Sequence, residues 1–135
     1  MKEWFFNLPR KVYRTLKKID VFFSDYHPLD LRGVNFRGAS LDGQELFGAR
    51  LEGSNLSDCS LRKAVLANAN LYNANLRYTN LLETDFTGAN LSGADLSHAS
   101  NWEKASFNQC VMNDETRLPC SRKHLVDHNI KFVEA

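Results

Sequence analysis

Residues 69–96 read ANLYNANLRYTNLLETDFTGANLSGADL, and within them a leucine or phenylalanine stands at every fifth place: Leu71, Leu76, Leu81, Phe86, Leu91 and Leu96. Traced backwards, the series is unbroken through Leu66, Leu61, Leu56, Leu51, Leu46, Leu41 and Phe36 to Leu31. Traced forwards, it slips by one residue and resumes at Trp102, Phe107 and Met112, which predicts a one-residue insertion near Asn101. Fourteen large residues before the slip and three after it make 17 units. Two places before most of them stands a small residue, such as Ala49, Ser54, Cys59, Ala64, Ala69, Ala74, Thr79, Thr84, Ala89, Ala94 and Cys110. A period of five fits neither the 3.6 residues of a helix turn nor the alternation of a strand, so no single helix or strand buries this pattern on one face. The chain has to turn every five residues. The large residue and the small one two before it then point inward, and the other three point outward. The predicted core is a column of stacked side chains centred on Leu51, Leu56, Leu61, Leu66, Leu71, Leu76, Leu81, Phe86, Leu91 and Leu96.

The units Ala69-Asn70-Leu71, Ala74-Asn75-Leu76, Ala89-Asn90-Leu91 and Ala94-Asp95-Leu96 resemble the A(D/N)LXX pattern of the pentapeptide-repeat family. The resemblance covers about residues 29–114. It implies an all-β solenoid, a right-handed quadrilateral β-helix with four units per coil and therefore a little over four coils. At the inter-strand spacing of ~4.8 Å the rod is about 20 Å long. Open ends of such a column expose unpaired strand edges, which assigns residues 1–28 and 115–135 a first role as caps.

Residues 1–23 carry Lys2, Arg10, Lys11, Arg14, Lys17 and Lys18 with Leu8, Val12, Leu16 and Ile19 at helical spacing, the pattern of a basic amphipathic α-helix starting near Pro9. It reads as a cap on the first coil, with docking on a membrane surface as the alternative. Trp4, Phe5 and Phe6 suit either role, and His27-Pro28 mark the linker. A second short helix is expected at 121–128. There His124 and His128 lie four apart, but with no HExxH core and no third ligand nearby they read as solvated surface. The three cysteines, Cys59, Cys110 and Cys120, form no CxxC pair and no disulfide framework, and Cys110 falls at an inward position. No stretch is long enough to span a membrane and no signal-peptide core is visible, so the expected location is a bacterial cytoplasm.

Positions twenty apart stack on neighbouring coils, so the faces can be read in advance. One face places Asp42, Arg62, Leu82 and Glu103 in one column and Lys63, Glu83 and Lys104 in the next, alternating signs that neutralise one another. Asn35, Asn55, Asn75 and Asp95 form another column, as does Asn70 under Asn90, and these amides are expected to bond along the rod. Arg37 and Arg77 flanking Ser57 suggest a modest basic spot. Gln44 sits at an inward small position, where a buried amide predicts a local distortion around Gly43 and Gln44. The candidate partner-binding residues are Phe47, Val65 and Ala67, apolar and outward on one face, whereas Tyr72, Tyr78 and Leu82 read as isolated.

A filled, convex column offers no pocket for catalysis, and no nucleophile stands at a working distance from a base, so the chain reads as non-enzymatic, without cofactor or metal. The expected function is protein–protein interaction or scaffolding with a protein partner the sequence does not name. Some family members act on a type II topoisomerase, gyrase, by imitating duplex DNA, and that is the alternative. Residues 29–112 hold nine acidic and seven basic side chains, and the resulting 7 − 9 = −2 is a weak imitation of a polyanion. The overall charge of +1 gives no reason to expect direct nucleic-acid binding.

Overall fold

Each five-residue unit closes with one β-turn. In the first, Leu31 points inward, Arg32 and Gly33 form the corner, and the Val34 N–H donates to the Leu31 carbonyl at 3.2 Å. From Gly33 to His98 the third turn residue of every unit lies in the left-handed region, with Gly33 at φ 64°, Lys63 at 58°, Tyr78 at 59° and His98 at 60°. This is the geometry of a type II turn, which favours glycine there. Lys63, Tyr78, Glu83 and His98 hold it at a steric cost because the hydrogen bonds on either side fix the corner.

The computed structural model describes residues 28–134 and shows the coils joined by parallel bridges between residues 20 apart, from Asp30↔Arg50 to Asn80↔Ser100. Four units therefore complete a coil with four faces. The first face runs Asp30, Arg50, Asn70, Asn90, Val111, Lys131 and the second Asn35, Asn55, Asn75, Asp95, Arg117. Ser40, Ser60, Asn80 and Ser100 line the third, and Glu45, Val65, Asp85 and Ser106 the fourth. Backbone bonds run both ways between coils, for example Leu51 N–H to Asn70 O at 2.8 Å and Asn70 N–H to Ala49 O at 2.9 Å.

The separation lengthens to 21 residues at Asp85↔Ser106, with Asn101 (φ 56°) as the inserted residue. It lengthens again to 22 at Asp95↔Arg117. Past Met112, where the series read from sequence ends, a second extra residue shifts the period without ending it. The next turn forms between Asn113 and Thr116 instead of starting at Met112, Thr116 is buried as the small inward residue, and Leu118 follows in the place of the large one, partly buried against the core. A 3-10 helix, Arg122–His128, then places Leu125 in the core before β2 (Lys131–Phe132) pairs in parallel with β1 (Val111–Met112). The helix expected over residues 1–23, with its capping and membrane readings, lies outside the described residues.

The predicted core residues from Leu51 to Leu96 are all fully buried, and Phe86 and Phe107 stack with ring centroids 5.3 Å apart. Most polar inward residues are satisfied by turn carbonyls, for Thr79 that of its own turn, Leu76 O at 2.7 Å, and for four others one from the neighbouring coil. The Thr84 hydroxyl donates to Leu61 O at 2.7 Å, the Thr116 hydroxyl to Leu91 O at 3.0 Å, and the Cys59 and Cys110 thiols to Phe36 O and Phe86 O at 3.0 and 2.9 Å. Each uses a turn carbonyl of the coil below, which has a second lone pair to offer. Around Gln44 the expected distortion is absent. Its N–H closes the normal turn on Leu41, its carbonyl accepts from Val65, and its half-buried amide reaches the Asp42 carbonyl at 3.4 Å.

Ser54 is buried with no partner for its hydroxyl. Ser54→Ala is expected to raise stability by about 1 kcal/mol, since it removes an unpaired buried hydroxyl. Leu71→Ala, at the centre of the column, is expected to lower it by about 2–5 kcal/mol. Urea unfolding of both variants checks the two values.

Candidate partner-binding face

The outward surface is organised by the residue just before each inward Leu or Phe. Where that residue is Asn or Asp, its side-chain oxygen accepts the N–H two residues on: Asn35 from Arg37 at 3.1 Å, Asn55 from Ser57 at 3.1 Å, Asn75 from Arg77 at 3.1 Å, Asp85 from Thr87 at 2.9 Å and Asp95 from Ser97 at 3.0 Å. These are Asx turns, which satisfy the one backbone donor per unit that neither the turn nor the inter-coil ladder uses. The Asn columns therefore serve mainly their own corners, not the amide ladders expected from sequence. Bonds along the rod are few, such as Asn90 Nδ2 to Asn70 Oδ1 at 3.2 Å.

On the fourth face this device is interrupted. Glu45 and Val65 stand where Asn or Asp would, and among the described residues no acceptor reaches the Phe47 or Ala67 N–H. Phe47 itself is 64% exposed, more than Tyr78, Phe132 or Tyr72. The Gly48 N–H bonds the Ala67 carbonyl at 2.9 Å, and Val65 is half-buried in the ladder between Glu45 and Asp85. The structure thus brings Phe47, Val65 and Ala67 onto one face. Every outward position beside the ladder there, Glu45, Phe47, Val65, Ala67, Asp85, Thr87, Ser106 and Asn108, is free of lysine and arginine.

Elsewhere the charges are consumed locally. Arg37 bonds Asp58 at 3.0 Å and Arg77 lies over the Tyr78 ring at 5.6 Å, so the basic spot around Ser57 is divided. Lys63 meets Glu83 at 3.8 Å, as the alternating columns predict. Asp42 instead accepts from the Ser60 hydroxyl and the Arg62 N–H. Tyr78 is not isolated: it stacks on His98, with centroids 4.8 Å and planes 8° apart. The two are twenty residues apart in one corner column, a signal the sequence did contain. His124 faces Ser121 Oγ at 3.0 Å and the Trp102 ring at 6.4 Å, and the described residues hold no cluster of metal-ligating side chains. Two shallow concavities, of about 570 and 420 Å³, flank Glu115 near the C-terminal end.

Few groups titrate abnormally. The Arg32 guanidinium bonded to Asp30 holds that carboxyl down at about 2. Burial works to raise Asp95, but the Ser97 hydroxyl and N–H together with Arg77 and Arg117 outweigh it and hold the carboxyl below its usual range. Burial pushes the Cys110 thiol up to about 12 and raises Cys120 as well.

The family model for pentapeptide repeats matches in 8 copies over residues 30–62, 45–77 and 64–100. Among solved structures, the pentapeptide repeat protein alr5209 from Nostoc PCC 7120 superposes with a TM-score of 0.73 at 26% identity, covering 77% of this chain and 84% of that one. A pentapeptide repeat protein from the thylakoid lumen of Arabidopsis thaliana gives 0.64 at 24% identity over 76% and 71%, a likeness of fold. QnrB1, a plasmid-mediated fluoroquinolone resistance protein, gives 0.52 at 25% identity, and the chain spans 60% of its length. No protein of curated function matches the chain at a significant level.

Thiol labelling of the native protein is expected to modify Cys120, which is partly exposed, and to spare Cys59 and Cys110 until the chain is unfolded. Because the folded state holds Asp30 and Asp95 below their ordinary value of 3.8, their carboxylates stabilise the fold above about pH 4, and that contribution is lost as pH falls toward 2. Asp95→Asn keeps the Asx acceptor and is expected to flatten this acid limb in unfolding curves taken between pH 5 and 2.

Proposed function

The chain belongs to the pentapeptide-repeat family, and on that premise we propose that it is a non-enzymatic protein–protein interaction or scaffold module whose binding face is the one carrying Phe47, Val65 and Ala67. Proteins of this family fold as right-handed quadrilateral β-helices and are generally structural or interaction modules. The observation that carries the reading is the 64% exposure of Phe47 on a ladder face without lysine or arginine. An aromatic ring held on a rigid support buries large area at little entropic cost when a partner covers it. Nothing in the core needs this ring, since Leu46 fills the inward position beside it.

The resistance protein among the structural relatives raises the alternative of a DNA-imitating role at gyrase. Such a role asks for a continuous acidic stripe. Here the signs alternate between coils, with Arg37 on Asp58, Lys63 on Glu83 and Arg117 on Asp95, which favours the interaction module.

Phe47→Arg places a charge on an already exposed site and is expected to leave the thermal midpoint within about 2 °C of wild type, a surface-substitution effect. Affinity capture from a lysate of the source organism with both proteins then tests the reading. A protein retained by the wild type and lost with Phe47→Arg supports it. Retention indifferent to the substitution removes this face from the proposal.

A further inference from the structure

The open backbone donors on the fourth face narrow the kind of partner. A type II turn leaves the N–H of its second residue outside the turn bond and outside the inter-coil ladder. In this chain that N–H is usually bonded by the Asx oxygen two residues earlier. Arg62 lacks such a residue and is served by Asp42 of the coil below. On the fourth face, Thr87 alone has this service, from Asp85. The N–H groups of Phe47, Ala67 and Asn108 have no acceptor among the described residues, because Glu45, Val65 and Ser106 replace the Asx side chain. The donors lie in one outward column, spread over about 14 Å at the inter-coil spacing of ~4.8 Å. They border the exposed ring of Phe47 and the half-buried Val65.

A ligand for this column must bring acceptors. Glu45 and Asp85 stand in the adjoining column with no lysine or arginine among the outward positions, so carboxylates and phosphates are repelled and neutral carbonyl oxygens are favoured. The geometry points to an extended polypeptide segment, uncharged or basic in its side chains, laid along the fourth face. Its backbone carbonyls accept from Phe47, Ala67 and Asn108, and one apolar side chain packs on Phe47 and Val65. About four residues of extended chain span the column. The segment binds through main-chain bonds for affinity and a side-chain contact for specificity, as strand-adding peptides do elsewhere. This inference rests on the reading of this face as the binding face and adds the chemistry of its partner.

The probe is a randomised library of linear eight-residue peptides selected on the full-length protein, with Kd values of the enriched sequences measured on three proteins. These are wild type, Phe47→Arg, and the double variant Glu45→Asn, Val65→Asn, which supplies two of the three missing Asx oxygens, those for the Phe47 and Ala67 N–H, without touching Phe47. Enriched peptides are expected to carry an apolar residue beside neutral or basic ones and to shift the amide resonances of Phe47, Ala67 and Asn108. They are expected to bind the double variant at least tenfold more weakly, although it unfolds at the wild-type temperature or above. No enrichment, enrichment of acidic peptides, or undiminished binding to the double variant overturns the proposal. Binding lost with Phe47→Arg but kept by the double variant overturns the carbonyl-acceptor inference while leaving the face in place. Binding indifferent to all the substitutions removes both.

Discussion

The structure depends on a turn that closes every fifth residue. Leu31 to Val34 already contains the whole scheme: one inward Leu, one carbonyl bonded to the N–H three residues on, and one residue forced to positive φ. Once the corner is fixed, the remaining backbone groups have no partners within their own unit and reach the coils above and below. The column therefore holds together by nearest-neighbour stacking, with Leu on Leu and carbonyl under N–H. An extra residue is absorbed wherever a corner can widen, as at Asn101 and again at Asn113, without loss of register beyond it.

The same constraint explains the composition of the repeat. An inward small residue must not crowd its coil, and if polar it needs a turn carbonyl, which Thr84, Thr116, Cys59 and Cys110 find in the coil below, Thr79 in its own turn, and Ser54 not at all. The residue before the inward Leu faces outward with the task of satisfying one backbone donor, for which Asn and Asp have the right reach. Asn and Asp are therefore there for the corner more than for the neighbouring coil. Ser40 and Arg50 depart from this rule singly on other faces, where no acceptor among the described residues reaches the Asp42 or Glu52 N–H, and the fourth face departs from it most often. Glu45 and Val65 break it on two successive coils of one face, beside the ring that is most exposed. Charge distinguishes the faces less sharply, since many of the charged side chains are paired between or within coils.

Sequence by itself determined the column, the inward set from Leu31 to Met112, the first insertion and the outward placement of Phe47, Val65 and Ala67, because a five-residue period has to turn its large residues inward. The four-unit coil came from the family resemblance, and the bridges between residues twenty apart show it. The tertiary structure alone decided how the outward groups pair. An Asn in a column can bond its own corner or the next coil, and the choice depends on where the N–H two residues on points. Arg37 can reach a ligand or Asp58, and the lateral step between corner columns favours Asp58. The second insertion was hidden because Thr116 and Leu118 fit the pattern only after a shift that backbone pairing makes visible. Periodicity fixes which side of the chain a residue occupies, whereas hydrogen-bond partners are fixed by directions and distances that exist only once the coils are stacked.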